Sequence, residues 1–210
     1  MTSVYECQRS FFLRRFQSLL GIIPIGAFLL EHAFTNSMAY FYGRERFNQS
    51  VEVLQNMPFV LFMEIFLIGV PILLHAGIGF YIWIFSENTV REYPYLRNWL
   101  YSLQRWTGII TFLFIGYHVY KLRLEWTWKT NLTHIDYDYV KDYFSHTWHV
   151  LFYFVGIAAA AFHFADGLWN FLIKWGITIG ERAQRASGYV CAMVGLGVFM
   201  FFMASLYAFA

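Results

Sequence analysis

The sequence predicts an all-α protein, a bundle of five transmembrane helices with the N-terminus inside the cell and the C-terminus outside. Apolar residues make up 59% of the 210 residues and charged residues only 13%, whereas a soluble domain carries about a quarter charged residues. Five segments reach the roughly 20 apolar residues that a bilayer span needs: 16–35, 58–85, 100–122, 148–173 and 189–209. A bilayer core holds no water to bind the backbone, so each segment is expected to be helical.

The segments have recognisable ends. The first follows Arg14 and Arg15, and the fifth follows the polar stretch RAQRASG. Tryptophans fall near the segment ends, as expected at a membrane–water interface: Trp83, Trp99, Trp126, Trp128, Trp148 and Trp175. No polar stretch is long enough for a soluble domain, so we expect a single transmembrane domain over residues 1–210.

The Lys and Arg residues of the loops indicate the orientation. With the N-terminus inside, the inner side carries Arg9, Arg14, Arg15, Arg91, Arg97, Arg105, Lys174, Arg182 and Arg185. The outer side then carries Arg44, Arg46, Lys121, Arg123, Lys129 and Lys141. The richer inner side favours N-in, C-out. The net charge of +2 is too small to indicate a nucleic-acid partner.

Four of the seven histidines lie one apiece within the first four segments, namely His32, His75, His118 and His163, at intervals of 43, 43 and 45 residues, whereas His149 falls at the edge of the fourth segment beside the loop. An imidazole in hydrocarbon is costly unless its nitrogens are bound, so each is a functional candidate. We find no repeated residue pattern around them, and attribute the even spacing to helices of similar length and not to duplication.

The depths of these histidines sort them into two pairs. At 1.5 Å per residue, His32 and His118 lie about 25–27 Å from the inner boundary, whereas His75 and His163 lie about 16 Å from it. We call His75 with His163 the inner pair and His32 with His118 the outer pair. Each pair is expected to ligate the iron of one haem. A lone membrane histidine can instead simply hydrogen-bond across helices, but four that match by depth argue against this.

The cysteines and glycines bear on how such haems are held. Cys7 and Cys191 form no CxxCH motif, so two non-covalent haem b groups are expected. Gly79, Gly116 and Gly156 lie near the ligands, where they either leave room for a macrocycle or allow close helix packing.

Haem propionates are anions and require donors at the membrane rim. Gln17 and Ser18 lie at the inner end of the first segment, and Lys174 lies 11 residues after His163. We expect these three residues to bind propionates, although Lys174 could equally be an interfacial anchor whose charged end reaches the water.

Three carboxylates lie within the segments. Glu64 and Glu31 lie in the outer half, where with Asn36 they could serve a quinone site and its protons. A structural hydrogen bond is the other explanation for Glu64, and Asp166 could bond a ligand histidine or a neighbouring helix.

The stretches around the four histidines resemble a known family, the dihaem cytochrome b anchor subunit of succinate:quinone oxidoreductases, in its form with one polypeptide and five helices. The stretches are RRFQSLLGIIPIGAFLLEH, MEIFLIGVPILLHAGIG, RNWLYSLQRWTGIITFLFIGYHV and FHFADGLWNFLIKWGIT. The similarity covers nearly the whole chain and is weakest between the third and fourth segments.

The resemblance implies an anchor in the bacterial cytoplasmic membrane for a flavoprotein subunit with FAD and an iron–sulfur subunit, with menaquinone as the usual quinone. It implies that the inner pair ligates the haem nearer the iron–sulfur subunit. Succinate and fumarate chemistry would occur on the flavoprotein. Some fumarate-reducing members carry a proton-transferring glutamate where this chain has Ala161, which leaves the direction of the reaction open.

Two alternatives remain at the level of sequence. One is a haem b subunit of another membrane oxidoreductase, of the hydrogenase or formate dehydrogenase type. The other is a haem-free transporter or structural membrane protein.

Overall fold

In the computed structural model, which describes residues 4–125 and 135–210, every regular element is helical. The elements are α1 (Val4–Ile22), α2 (Pro24–Gln55), α3 (Val60–Phe62), the π-helix π1 (Met63–Gly69), α4 (Val70–Phe85), α5 (Leu96–Val119), the π-helix π2 (Tyr120–Glu125), α6 (Tyr137–Phe144), α7 (Thr147–Lys174) and α8 (Glu181–Phe209). The predicted all-α class is therefore confirmed. Trp126, Trp128 and Lys129 lie outside the described residues.

Four helical stretches of the described chain are long and apolar enough to cross a membrane: Ser10–Gln55, Val60–Phe85, Thr147–Lys174 and Glu181–Phe209. The third predicted span, which corresponds to α5, is not among these four. Gln104, Arg105 and His118 dilute its apolar run. A fifth crossing through α5, and with it the N-in, C-out orientation, stays a prediction.

The predicted end of the first segment at residue 35 is wrong, because the helix continues to Gln55. α1 and α2 are separated by a break at Ile23 before Pro24, whose ring has no N–H to donate and crowds the preceding turn. A second kink lies at Gly43, where φ is +80° and a side chain would be strained. The polar extension packs against the rest of the bundle through Phe47, which is only 2% exposed and belongs to the core.

The second segment begins at Val60, after Phe59 in the left-handed region, and is not a uniform helix. Its π1 portion ends two residues before Pro71. Proline removes the donor that the carbonyl of Leu67 would use in an α-helix. Widened turns commonly accommodate such a loss, which explains why π1 precedes this proline.

α6 is a short helix that the sequence did not predict. The Asp136 side chain caps it by accepting a hydrogen bond from the Tyr139 amide at 2.9 Å. Its buried residues Val140 and Phe144 pack against the ends of α2, α7 and α8. α6 therefore closes the bundle at the end near the outer pair. The predicted start of the fifth segment at residue 189 is also too late, since α8 begins at Glu181.

α7 is the central helix of the bundle and packs against α1, α5 and α8, while α4 packs against α1 and α2 against α8. Small residues allow the closest approaches. A Cβ at Gly195 of α8 would collide with Ala165 of α7, and one at Gly188 would lie 3.3 Å from the Trp169 ring. Such packing of small residues is typical of membrane helices.

Candidate functional site

The four histidines of the predicted spans meet as two pairs inside the bundle. The ring centroids of His75 and His163 lie 6.1 Å apart, with their planes at 90°. Those of His32 and His118 lie 5.7 Å apart, at 81°. These are the inner and outer pairs that the depth arithmetic groups together. Each pair joins helices that are distant in sequence.

In the inner pair, the Nδ1 atom of each ring faces a backbone carbonyl. His75 Nδ1 lies 2.9 Å from the Gln17 oxygen, and His163 Nδ1 lies 3.0 Å from the Gln104 oxygen. A carbonyl can only accept a hydrogen bond, so both Nδ1 atoms carry protons. The unprotonated Nε2 of each ring is then available as a metal ligand.

The first half of the inner site is built from two short motifs, Gln17-x3-Gly21 on α1 and His75-x3-Gly79 on α4. The ring of His75 lies directly against Gly21, where an added Cβ would be 2.6 Å from the ring Cε1 atom. The side-chain amide of Gln17 lies in turn against Gly79, at 3.1 Å from the position of a Cβ. Glycine is therefore required at Gly21 for the imidazole to reach the Gln17 carbonyl.

The second half repeats this arrangement with Gln104-x3-Gly108 on α5 and His163-x3-Gly167 on α7. A Cβ at Gly108 would lie 2.8 Å from the Cε1 atom of His163, and one at Gly167 would lie 3.2 Å from Nε2 of Gln104. Gln104 Nε2 also donates to the His163 carbonyl at 3.0 Å.

These two half-sites show that the absence of a repeated residue pattern was a wrong inference. The glutamine and histidine of the two halves are 58 and 59 residues apart. The histidine intervals alone do not reveal the repeat, because its Gln-x3-Gly and His-x3-Gly motifs lie on different helices. The repeated half-site therefore relates His75 to His163, whereas His32 and His118 do not share it.

The outer pair has side-chain neighbours instead of carbonyls. His118 Nδ1 lies 3.1 Å from the Tyr153 hydroxyl. His32 Nδ1 lies 3.2 Å from Asn36 Nδ2, which also donates to the His32 carbonyl at 2.8 Å. Phe28 stacks on the His32 ring at 5.2 Å. The outer rings are thus fixed by aromatic packing and by residues that a mutation can remove.

Both pairs fit the axial ligation of a haem. A metal–imidazole bond is about 2 Å long, so centroid separations near 6 Å would accommodate one iron between the two rings. Within the described residues, no group of three or more His, Cys, Asp or Glu side chains could hold a metal ion. Two protein ligands at each site suit a haem, whose macrocycle supplies the remaining ligands.

The residues predicted to bind propionates lie together where α1 meets the end of α7. Arg15 Nη2 donates to the Lys174 carbonyl at 3.0 Å, and Trp175 Nε1 donates to Ser18 Oγ at 3.2 Å. Gln17 contributes its carbonyl to His75 and its amide to the contact with Gly79. The rim is rich in donors, and propionate binding there stays a prediction.

The glycines expected to leave room for a macrocycle behave differently from one another. A Cβ at Gly156 would fall on the Phe114 ring, so this glycine serves close helix packing. Gly79 faces the Gln17 amide, as described above. Gly116 has nothing within 4 Å of its Cβ position.

The three intramembrane carboxylates have hydrogen-bonding partners. Arg123 binds Glu64 with two parallel hydrogen bonds, Nε to Oε1 at 3.1 Å and Nη2 to Oε2 at 3.0 Å. This ion pair joins π1 to π2, and its side chains are 33% and 29% exposed. Thr35 Oγ1 donates to Glu31 at 2.5 Å.

Asp166 accepts a hydrogen bond from Asn170 Nδ2 at 2.8 Å, one turn further along α7. Its bonding partner is thus on its own helix, and neither a ligand histidine nor a neighbouring helix takes that role in the contacts described here.

The chain is similar to known proteins in two comparisons. The family model described as the succinate dehydrogenase/fumarate reductase transmembrane subunit matches residues 89–204. The succinate dehydrogenase cytochrome b558 subunit of Bacillus subtilis (strain 168) is 38% identical over 201 residues, which is 96% of this chain and 98% of the relative. The similarity to this relative includes the first two helical spans, which lie before the part matched by the family model.

Proposed function

This chain belongs to the succinate dehydrogenase/fumarate reductase transmembrane subunit family, and from that premise we propose that it is a dihaem membrane anchor. It relays electrons between an iron–sulfur subunit and a quinone, with menaquinone as the expected quinone. The proposal rests on two pairs of facing imidazoles, whose ring centroids lie 6.1 Å and 5.7 Å apart. Family membership favours this function over a hydrogenase or formate dehydrogenase subunit and over a haem-free protein.

In this proposal the four histidines each supply one axial ligand. His75 and His163 hold the inner haem b, with the carbonyls of Gln17 and Gln104 fixing the ring orientations. His32 and His118 hold the outer haem b. Haem bound at these sites would supply one-electron transfer, and two histidine ligands to each iron would exclude oxygen from it.

The proposed topology places the inner haem at the cytoplasmic side. Five helices with the N-terminus inside put the rim formed by Arg15, Ser18 and Lys174 on that side, facing the iron–sulfur subunit. That subunit would connect to the flavoprotein with FAD, where succinate and fumarate react. The chain itself would bind neither acid.

The quinone headgroup is proposed at the outer end, near the outer pair. The outer halves of the predicted spans contain Glu31, Asn36 and Glu64. The Glu64 side chain is about a third exposed. A partly exposed carboxylate in a membrane protein can exchange protons with a bound quinol if water reaches it.

Alanine substitutions of the four histidines test the proposal. We expect His75→Ala and His163→Ala to lose the same haem, and His32→Ala and His118→Ala to lose the other, because each removes one axial ligand. Haem extraction with acidic acetone should yield two haems b for each chain of the wild type. Redox titration of the variants identifies the component lost.

One haem per chain, or haem that resists extraction, would contradict the dihaem proposal. Loss of the same component in His75→Ala and His118→Ala would contradict the pairing. His146→Ala, which changes a histidine at the start of α7 outside both pairs, is the matched control and should retain both haems.

A further inference from the structure

The two histidine pairs differ in what receives the proton of Nδ1. Both inner rings face backbone carbonyls, whereas His118 faces the Tyr153 hydroxyl at 3.1 Å. No substitution removes a backbone carbonyl, but the Tyr153 hydroxyl can be removed while its ring stays. In the outer pair, therefore, a single side-chain substitution can remove the group that faces Nδ1 of a ligand histidine.

Tyr153 is held firmly in place. Its residue surface is 4% exposed, and its ring packs at 4.7 Å from Phe144 and 5.1 Å from Phe114. Phe144 belongs to α6, the helix that covers this end of the bundle. The contacts of the ring therefore direct the hydroxyl toward His118, and these contacts do not involve the hydroxyl oxygen.

A phenol oxygen can either donate or accept, and metal binding decides between the two. When His118 binds iron through Nε2, its proton lies on Nδ1, so the Tyr153 oxygen must accept. Asn36 does not accept a hydrogen bond from His32 in the same way. The Asn36 atom near His32 Nδ1 is the amide nitrogen, which is a donor and already donates to the His32 carbonyl.

We propose that Tyr153 is a positioning residue for the outer haem, fixing the ring of His118 and raising its basicity through an accepted hydrogen bond. This rests on the proposed function. A more basic ligand stabilises ferric over ferrous iron, so the hydroxyl lowers the potential of the outer haem. The inner haem, whose ligands use carbonyls, is unaffected by it.

The test is Tyr153→Phe in the assembled complex, which keeps the packed ring and removes only the hydroxyl. We expect the reduction equilibrium of the outer haem to shift toward the ferrous form by up to tenfold, which is about 59 mV for one electron. The inner haem of the same protein serves as an internal reference. Both potentials are read by redox titration of the visible bands.

The matched control is Tyr137→Phe, which removes a hydroxyl from α6 that donates to the Ala208 carbonyl at 2.9 Å, away from His118. It should leave both potentials unchanged. Unchanged potentials in Tyr153→Phe, or an equal shift in both variants, would overturn the proposal. Loss of the outer haem alone in Tyr153→Phe, with both haems kept in Tyr137→Phe, would support positioning.

A separate result distinguishes failure of this inference from failure of the proposed function. If His118→Ala retains both haems, His118 is not a ligand and the proposed function itself is wrong at this site. If His118→Ala loses the outer haem while Tyr153→Phe changes nothing, only the role of Tyr153 is refuted.

Discussion

At the scale of single residues, the inner pair depends on two glycines whose hydrogen atoms face imidazole rings. Gly21 and Gly108 occupy the same place in the two half-sites, one turn after the glutamine whose carbonyl binds the ring. The ring cannot retreat without losing that hydrogen bond. The glycine and the carbonyl therefore act together to hold each ligand.

We predict that Gly108→Ala lowers occupancy of the inner haem about tenfold or more, the effect typical of disturbing a ligand's supporting contacts. The new methyl group would lie 2.8 Å from the His163 ring. Gly197→Ala on α8 is the control, since nothing lies within 4 Å of its Cβ position and it is not among the glycines expected to make room for a macrocycle. Haem content and the spectrum of each purified variant provide the measurement.

Gly197→Ala should retain both haems and raise the thermal stability slightly, because alanine lowers the conformational entropy of the unfolded chain, an effect worth about 0.4–1 kcal/mol. Equal haem loss in the two variants would show that an alanine at any glycine of the bundle disturbs the site. The close contact at Gly108 would then have no special role.

At the scale of elements, the sequence predicted the helices better than their ends. Apolar length located the segments around His75 and His163, and α7 begins and ends within one residue of the predicted 148–173. Apolar length did not predict the helix after residue 35, because the extension to Gln55 is polar and is stabilised by tertiary contacts of Phe47. It also missed α6, which is too short to be recognised by its apolar content.

The pairing of helices could be predicted from the sequence because helix rise converts residue number into depth. The neighbours of each ring could not be predicted in this way. The carbonyl of Gln17 and the hydroxyl of Tyr153 reach their histidines across interfaces between helices, and depth alone does not say which faces meet. The Gln-x3-Gly repeat was visible in the sequence, but its meaning depends on those contacts.

The ion pair between Glu64 and Arg123 joins the two π-helices, and we predict that it couples them measurably. In a double-mutant cycle with Glu64→Gln and Arg123→Gln, we expect a coupling energy of about 1 kcal/mol in thermal unfolding, since the pair is bidentate and two-thirds covered. The cycle isolates this pair from the other contacts of Arg123.

The exposed pair Arg44 and Asp138, whose side chains are 63% and 53% accessible, is the control for this cycle. Solvent screening should leave it a coupling well below 1 kcal/mol. A coupling at Glu64 and Arg123 no larger than that of the control would mean that the π-helices are held by packing alone.

At the scale of the whole molecule, the relationship to succinate dehydrogenase subunits and the proposed topology give each of the two histidine pairs a different partner. With the proposed topology, electrons pass between a cytoplasmic partner at the inner pair and a quinone at the outer pair. Menaquinol oxidation at the outer end would release protons outside, while fumarate reduction consumes them inside. The opposite reaction would draw on the proton potential.

Glu64 is the outer-half carboxylate that we expect to serve quinone chemistry in this scheme. Its side chain is held by Arg123 and is a third exposed, so its position is fixed while its carboxylate is not fully enclosed by the protein. Glu64→Gln replaces the carboxylate, which can bind and release a proton, with an amide of nearly the same size that cannot. We therefore predict slower quinone-linked turnover of the assembled complex, with haem content and succinate oxidation by a soluble dye unchanged.

Asp138→Asn is the control for this final prediction, because it removes an exposed carboxylate that is also paired with an arginine. It should leave quinone-linked turnover at the wild-type rate. Wild-type quinone kinetics in Glu64→Gln would exclude Glu64 from the proton pathway, and loss of both haems would assign it to the structure of the bundle. Slow quinone-linked turnover together with normal dye reduction would instead assign Glu64 to proton transfer at the quinone site, since the dye receives electrons without that site.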